Sequence, residues 1–437
     1  MNKIMPLIIL MAIGLLLFLS WNNVSEFKGA KLKEYNSHIE NAESLMSKEV
    51  YIDAVEEYQR ALNLRPDQYD IAMKIVDLYE TLDKPASAAS ALEKAIKADP
   101  TQKTPYIKLI DYYIENSMYN KAYKVLNDAC EKLGNDSDLS ERLVTVMSDF
   151  TLSSVPHTQV KRLNYDEDST TGYMVVSKDG KYGLANSSLS IKYDCEYEDI
   201  GILSNKLIPV KKNGEYYYID DEGYRKLVPD EPAEYFGNFG NGFAPACFGG
   251  KYGYINNKLK QYHFEYDYAG SFAKKAAAVQ QSGKWAVINT SFEKITEFIF
   301  DEIVMDEYSY CSKYGVFFAK QNGSYALYDL KGNKLSQDFD EVRPFVSDQP
   351  AAVKVGGKWG FVSKEGKMVV EPAYDGADSF AFGYGPVLQD GKWGCINLDG
   401  NMVIEPQFDY LEAFMGNGSA LSRTEDVESY VVVRSLE

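Results

Sequence analysis

A glycine-centred element recurs seven times, beginning at Gly180, Gly214, Gly250, Gly283, Gly323, Gly357 and Gly391. The steps are 34, 36, 33, 40, 34 and 34 residues, and the clearest copies read Gly-Lys-Trp-Gly. Units of this size cannot bury an apolar face alone, so the region must fold as a stacked or ring-like array. Each copy reads strand, tight turn, strand, tight turn, strand, as in 351–375. Asp179-Gly180, Asn213-Gly214, Asn322-Gly323 and Asp390-Gly391 supply the positive φ of two-residue hairpin turns, and Gly223, Gly332, Gly366 and Gly400 repeat the device. Every unit is therefore expected to be a three-stranded antiparallel meander.

After the first turn comes an aromatic residue: Tyr182, Tyr216, Tyr252, Trp285, Tyr325, Trp359 or Trp393. A small residue follows in six copies: Gly183, Gly253, Ala286, Ala326, Gly360 or Gly394. Recurrence in every unit points to a packing role between neighbours, the small residue leaving room for the ring or for a close backbone. A row of exposed platforms for sugars is the rival reading.

The ends of the array carry partial units. Residues Val160 to Asp166 match a third strand ending in Tyr165-Asp166, while Ser419–Ser422 and Ser429–Val433 match a first and a second strand. Together they make one more unit, as a ring would if it closed by pairing its first strand with its last. The expected architecture is a propeller-like ring of about eight three-stranded units, with an open twisted β-array as the alternative.

Lys358-Trp359-Gly360 and Lys392-Trp393-Gly394 are followed by Glu371-Pro372 with Tyr374-Asp375 and by Glu405-Pro406 with Phe408-Asp409. On these elements the stretch from Tyr173 to Phe414 resembles bacterial WG-repeat proteins, although the copies at Gly214 and Gly323 are degenerate. The resemblance implies a β-rich repeat domain without established catalysis.

Between Tyr35 and Phe150 the apolar residues adopt helical spacing, and the segment repeats at 34 residues. Ala54, Ala88 and Ala122 recur, as do Ala61, Ala95 and Ala129; Tyr58, Leu92 and Leu126 hold one large position, and Leu45, Tyr79 and Tyr113 another. Pro66 and Pro100 close the first two units, with Gly134 in that place in the third. Three units over Tyr35–Asp136 resemble the tetratricopeptide repeat, with a covering helix expected over Asp138–Phe150. The resemblance implies a concave groove lined by Asn36, Ile39, Glu43, Asp70, Met73, Asp77, Thr104, Ile107, Asp111 and Glu115. Five of these are acidic, and the Lys, Arg and Asn set that grips a peptide's terminal carboxylate is missing. A basic or neutral peptide partner is expected, against a simply solvated acidic face.

Ile4 to Trp21 is an uncharged apolar run of 18 residues, roughly 27 Å as a helix, which suits a bilayer span. No small-residue cleavage pattern follows it, so an uncleaved signal anchor is expected. Counting Lys3 against Lys28, Lys31 and Lys33 favours a cytoplasmic body, whereas the short amino-terminal side looks like the start of an export signal. Export is the orientation expected. The chain is thus read as an α + β multidomain protein: anchor 1–23, tetratricopeptide-like α-solenoid 35–150, and all-β repeat domain 158–437, with 151–158 a hinge or packed connector.

A net charge of −18 argues against nucleic acid. Five scattered cysteines and three histidines form neither a disulfide framework nor a metal site. The Asp and Glu of the Tyr-Asp and Glu-Pro elements recur as turn residues would, so no catalytic residue, cofactor or metal is expected. The reading is a non-enzymatic, single-pass membrane scaffold for protein partners, its bulk outside the cytoplasm. A module binding envelope glycan or peptidoglycan is the alternative, and a hydrolase with a site in the β-repeat domain the second.

Overall fold

The computed structural model describes residues 29–134, 136–165 and 172–433. The expected membrane span lies outside them; among the described residues no helix is long and apolar enough to cross a membrane. The chain divides into two units between Val146 and Met147.

Among the described residues the first unit is a run of seven helices: α1 (29–46), α2 (Tyr51–Leu64), α3 (Tyr69–Thr81), α4 (Pro85–Ala98), α5 (Lys103–Glu115), α6 (Tyr119–Leu133) and α7 (Ser137–Met147). The recurring alanines are 0–5% exposed, and Tyr58, Leu92 and Leu126 at most 2%, so small residues let helices approach where large ones fill between them. Each turn from first to second helix carries a left-handed residue, Glu49, Asp83 or Ser117, and closes with Val50 N to Leu45 O, Lys84 N to Tyr79 O or Met118 N to Tyr113 O. These are helix-end motifs in which glycine is usual. Their 34-residue spacing was readable but carries no glycine to mark it. The covering helix begins where Asp136 Oδ1 accepts from the amides of Asp138 and Leu139, and it ends at Met147, not Phe150, burying Leu139 and Val146.

The second unit is a propeller-like ring of eight β-sheets. Blade 1 holds Gly172–Lys178, Lys181–Asn186 and Ile191–Tyr197; blade 6, for example, holds Ala351–Val355, Lys358–Val362 and Met368–Tyr374. The expected three-stranded unit needs two corrections. A two-residue strand precedes each meander in blades 2 to 8, such as Asp199–Ile200 or Tyr410–Leu411, and pairs with its first long strand. In blades 4 and 5 the third strand shrinks to isolated bridges, Trp285 to Phe300 and Tyr325 to Phe339 among them.

Closure follows the expected principle through a different strand. Phe150–Ser154 pairs antiparallel with Val427–Val433, Phe150 opposite Val433, and completes blade 8. The β-region therefore starts at Phe150, inside the stretch read as helix end and connector. Residues 160–166 imitate a third strand, yet Thr158–Gln159 and Asn164–Tyr165 pair with the first long strand of blade 1 instead. The closing strand is exposed on four of five residues, so it lacks the apolar alternation that would have announced it.

The core lies between blades: Ala276, Ala278, Val287 and Phe300 of blade 4 pack with Ile303 and Phe317 of blade 5 in one buried cluster. The glycine turns behave as read, with positive φ at both residues of Asp179-Gly180, Asn213-Gly214 and Asp390-Gly391. Glu425-Asp426 makes an eighth such turn without glycine, which hid it from the repeat count. The aromatics interlock: Tyr216, Tyr235, Tyr252, Tyr268 and Trp285 form a ladder with successive ring centroids 6.1, 5.7, 5.2 and 5.5 Å apart.

Candidate functional site

The groove residues occupy one stripe of each first helix, at spacings of three and four: Asn36, Ile39, Glu43 on α1; Asp70, Met73, Asp77 on α3; Thr104, Ile107, Asp111, Glu115 on α5. Ile39, Met73, Ile107 and Asp111 are half-buried and the others exposed. Ion pairs join successive first helices along this face. Lys74 on α3 donates to Glu43 at 3.1 Å, Lys108 on α5 to Glu80 at 2.8 Å, and Arg142 on α7 grips both oxygens of Asp111 at 2.6 and 2.7 Å.

Lys74, Lys108 and Arg142 stand 34 residues apart, a cationic series that the list of acidic groove residues passes over. The groove is accordingly less acidic than expected: Glu43 and Asp111 are neutralised, while Asp70, Asp77 and Glu115 have no ion-pair partner among the described residues. Hydrogen bonding to Asp111 raises Arg142's pKa against the opposing effect of burial. These bridges are half-exposed, so they tie neighbouring repeats together more than they stabilise the fold.

A second concentration of charge lies at the centre of the ring. Arg162, in the segment leading into blade 1, donates Nε to Glu307 at 3.0 Å and Nη1 to Asp378 at 3.1 Å. Tyr308 Oη donates to its carbonyl at 2.7 Å, and Gln159 Nε2 to Glu412 at 2.9 Å. Glu307 belongs to blade 5, diametrically opposite blade 1, so these contacts span the middle of the ring. Burial opposes Arg162's charge, but Asp378, Glu307 and Glu412 outweigh it and hold the pKa above its usual range. Glu412 is pushed up to about 7 by burial, which Arg162 opposes and Glu307 and Asp378 reinforce.

These residues break the repeat. Asp378 and Glu412 stand where blades 2 to 4 have Gly201, Gly237 and Gly270, and Glu307 sits in the extra residues behind the 40-residue step from Gly283 to Gly323. That step was the one signal in the sequence for the centre. Glu307 and Asp378 converge on the Arg162 guanidinium, while Glu412 accepts from Gln159 and from the Tyr410 hydroxyl. Among the described residues no cluster of His, Cys, Asp or Glu is placed to hold a metal. None of the five cysteines is in a disulfide, and burial pushes Cys311 up to about 12.

The family described as WG containing repeat matches residues 182–216, 262–285, 325–359, 359–393 and 393–421. No curated protein matches the chain. The helical unit is similar to the tetratricopeptide domain of Sgt2 from Aspergillus fumigatus, at 19% identity over 26% of this chain and 76% of that one, TM-score 0.21. It is also similar to the second such domain of human RPAP3, solved with an HSP70 peptide, at 13% identity over 26% and 97%, TM-score 0.22. YrrB, described as having an unusual peptide-binding site, gives 20% identity over 25% of this chain and 57% of its own, TM-score 0.21. Five stretches of the β-ring match the WG-repeat model, and the helical unit is similar to tetratricopeptide domains.

Proposed function

We propose that the chain is a non-enzymatic, membrane-anchored scaffold whose helical groove takes an extended basic peptide. The observation that carries this is the state of the groove acids: Asp70, Asp77 and Glu115 are exposed without ion-pair partners among the described residues, beside half-buried Met73 and Ile107. Such a stripe offers charge for lysine or arginine side chains and apolar contact between them. Anchoring rests on the apolar run Ile4–Trp21, and an exported body on the short amino-terminal side that precedes it.

Fluorescence anisotropy on the full chain, with a labelled lysine- and leucine-containing decapeptide and its glutamate counterpart, tests the groove. The lysine peptide binds and the glutamate peptide does not. Asp70→Ala with Asp77→Ala and Glu115→Ala weakens binding about tenfold, as loss of three partly screened charges should. Equal binding by the triple variant would remove this surface from consideration. Protease shaving of intact cells tests the orientation, since full protection of 35–437 contradicts an exported body.

A further inference from the structure

The aromatic ladder shows what ordinarily stands between neighbouring blades. In blades 3 and 4 the first residue of the inner strand bridges two rungs. Tyr235 lies 6.1 Å from Tyr216 of the blade before and 5.7 Å from Tyr252 of its own, and Tyr268 lies 5.2 Å from Tyr252 and 5.5 Å from Trp285. Blade 2 keeps the same register: Asp199 is opposite Lys211 and Lys211 opposite Tyr216, as Tyr235 is opposite Cys247 and Cys247 opposite Tyr252. Asp199 therefore holds the rung between Tyr182 of blade 1 and Tyr216 of blade 2, and a short carboxylate stands in for a phenol ring.

Other blades without an aromatic at this rung occupy it differently. Blades 5 and 6 carry longer glutamates that are engaged, Glu302 accepting from Tyr325 Oη and Glu341 from Lys354 Nζ, both at 2.7 Å. In blade 7 the rung is Gly376, and the Trp393 indole comes within 3.3 Å of where its Cβ would stand. Beside Asp199 a cavity of ≈ 370 Å³ remains, walled by Tyr182, Tyr216, Val160 and Val175. The volume lies within the roughly 300–1,000 Å³ of small-molecule sites.

The polar groups around this slot are largely spoken for. Glu198 accepts from the amide of Gly214 at 3.1 Å, and Lys161 and Lys211 already lie over rings, 5.3 Å from the centroid of Tyr308 and 5.2 Å from that of Tyr216. These two lysines balance Glu198 and Asp199, so the lining has no net charge to offer. A charged ligand would shed water here without gaining an unopposed counter-charge. Asp199 Oδ2 accepts from Tyr216 Oη at 2.9 Å, while Oδ1 accepts from none of the described residues. What is left for a ligand is two phenol faces and one carboxylate oxygen.

We propose that this slot binds a free, uncharged, planar aromatic molecule bearing an N–H or O–H donor. Its ring stacks between Tyr182 and Tyr216 where the missing rung would stand, and its donor meets Asp199 Oδ1. The assignment is independent of the helical groove.

The test uses the full chain with indole as probe, followed by saturation-transfer NMR. Indole binds saturably, and 1-methylindole, which lacks the donor, binds about threefold or more weaker. Asp199→Tyr, which restores the rung, abolishes binding with melting unchanged or raised. Tyr182→Ala weakens it about fivefold, and the triple groove variant leaves it unaltered. Absence of saturable binding, equal binding of 1-methylindole, or wild-type affinity in Asp199→Tyr overturns the proposal; should that variant not fold, wild-type affinity in Tyr182→Ala does so. Binding of tryptamine, indole-3-acetate or a tryptophan-containing pentapeptide about tenfold tighter than indole overturns it too, since the occupant would then be an ion or a protein side chain.

Discussion

Blades 6 and 7 keep a full third strand, Met368–Tyr374 and Met402–Phe408, whereas blades 4 and 5 keep only isolated bridges. Between these four blades the difference goes with one position. After its tryptophan, blade 6 has Gly360 and blade 7 has Gly394; blades 4 and 5 have Ala286 and Ala326. A Cβ on Gly360 would lie 2.5 Å from Val370 O, and one on Gly394 2.4 Å from Ile404 O. In blade 1 a Cβ on Gly183 would lie 2.4 Å from Tyr193 O, and in blade 3 one on Gly253 would meet the Phe264 ring at 2.6 Å and Tyr262 O at 2.8 Å; all four glycines sit where the register with the third strand shifts. The glycine of the repeat admits the third strand's backbone at a bulge; of the two uses foreseen for it, close backbone approach is the one realised. Where alanine stands, the third strand is held through side chains instead: Thr296 Oγ1 accepts from Val287 N and Ser336 Oγ from Leu327 N, both at 2.9 Å.

The sharpest way to break this comparison is to exchange the residues. Gly394→Ala is expected to destabilise the ring by about 3 kcal/mol, lowering its melting temperature by on the order of 5–10 °C and freeing the amides of Met402–Phe408 to hydrogen exchange. Ala286→Gly costs no more than about 1 kcal/mol, because no strand depends on that site being bare. Calorimetry on both variants checks the asymmetry, and equal losses would contradict it.

The inner strands extend the comparison, since blade 8 has Glu412 where blades 2 to 4 have glycine. Its folded pKa of about 7 lies above the ordinary 4.5, so the native state holds the proton more tightly and the contribution is fully present below about pH 4.5. It is lost as pH rises through 7. Relative to Glu412→Gln, the wild-type ring should lose on the order of 2 kcal/mol between pH 4.5 and 8, read from denaturant unfolding at a series of pH values. Parallel pH profiles would refute the buried cluster.

Thr296→Val, which strands the amide of Val287, should cost about 1–2 kcal/mol by urea unfolding, and the equivalent Ser336→Ala in blade 5 a similar or smaller amount. If neither changes stability, side chains do not substitute for the missing ladder. The smallest effect is a gain: replacing Glu425-Asp426 by Asn-Gly gives the eighth hairpin the turn chemistry of the others and should stabilise it by about 0.5 kcal/mol in the same assay.

What could be read in advance followed from local rules. Asp390-Gly391 announces a hairpin because few residues accept its dihedrals, and Ala54, Ala88 and Ala122 announce close helices because only a small side chain fits. What escaped lacked such a marker. Phe150–Ser154 is a polar outer strand, Glu425-Asp426 forms a glycine turn without glycine, and Lys74, Lys108 and Arg142 form a series only once the helices stand side by side. Arg162 lay in a segment that imitated a strand, and only the 40-residue step hinted at the insertion that meets it.

By itself the sequence determined two repeat arrays, their helical and β character, the turn positions and the residues packed between units, because a periodic chain states its local geometry many times over. Tertiary structure alone decided which strand closes the ring, which groove acids stay unpaired and where the central charges meet. Those outcomes depend on residues far apart in the chain, such as Arg162 and Glu307, or Phe150 and Val433, and on which partner reaches each group first, which no local spacing encodes.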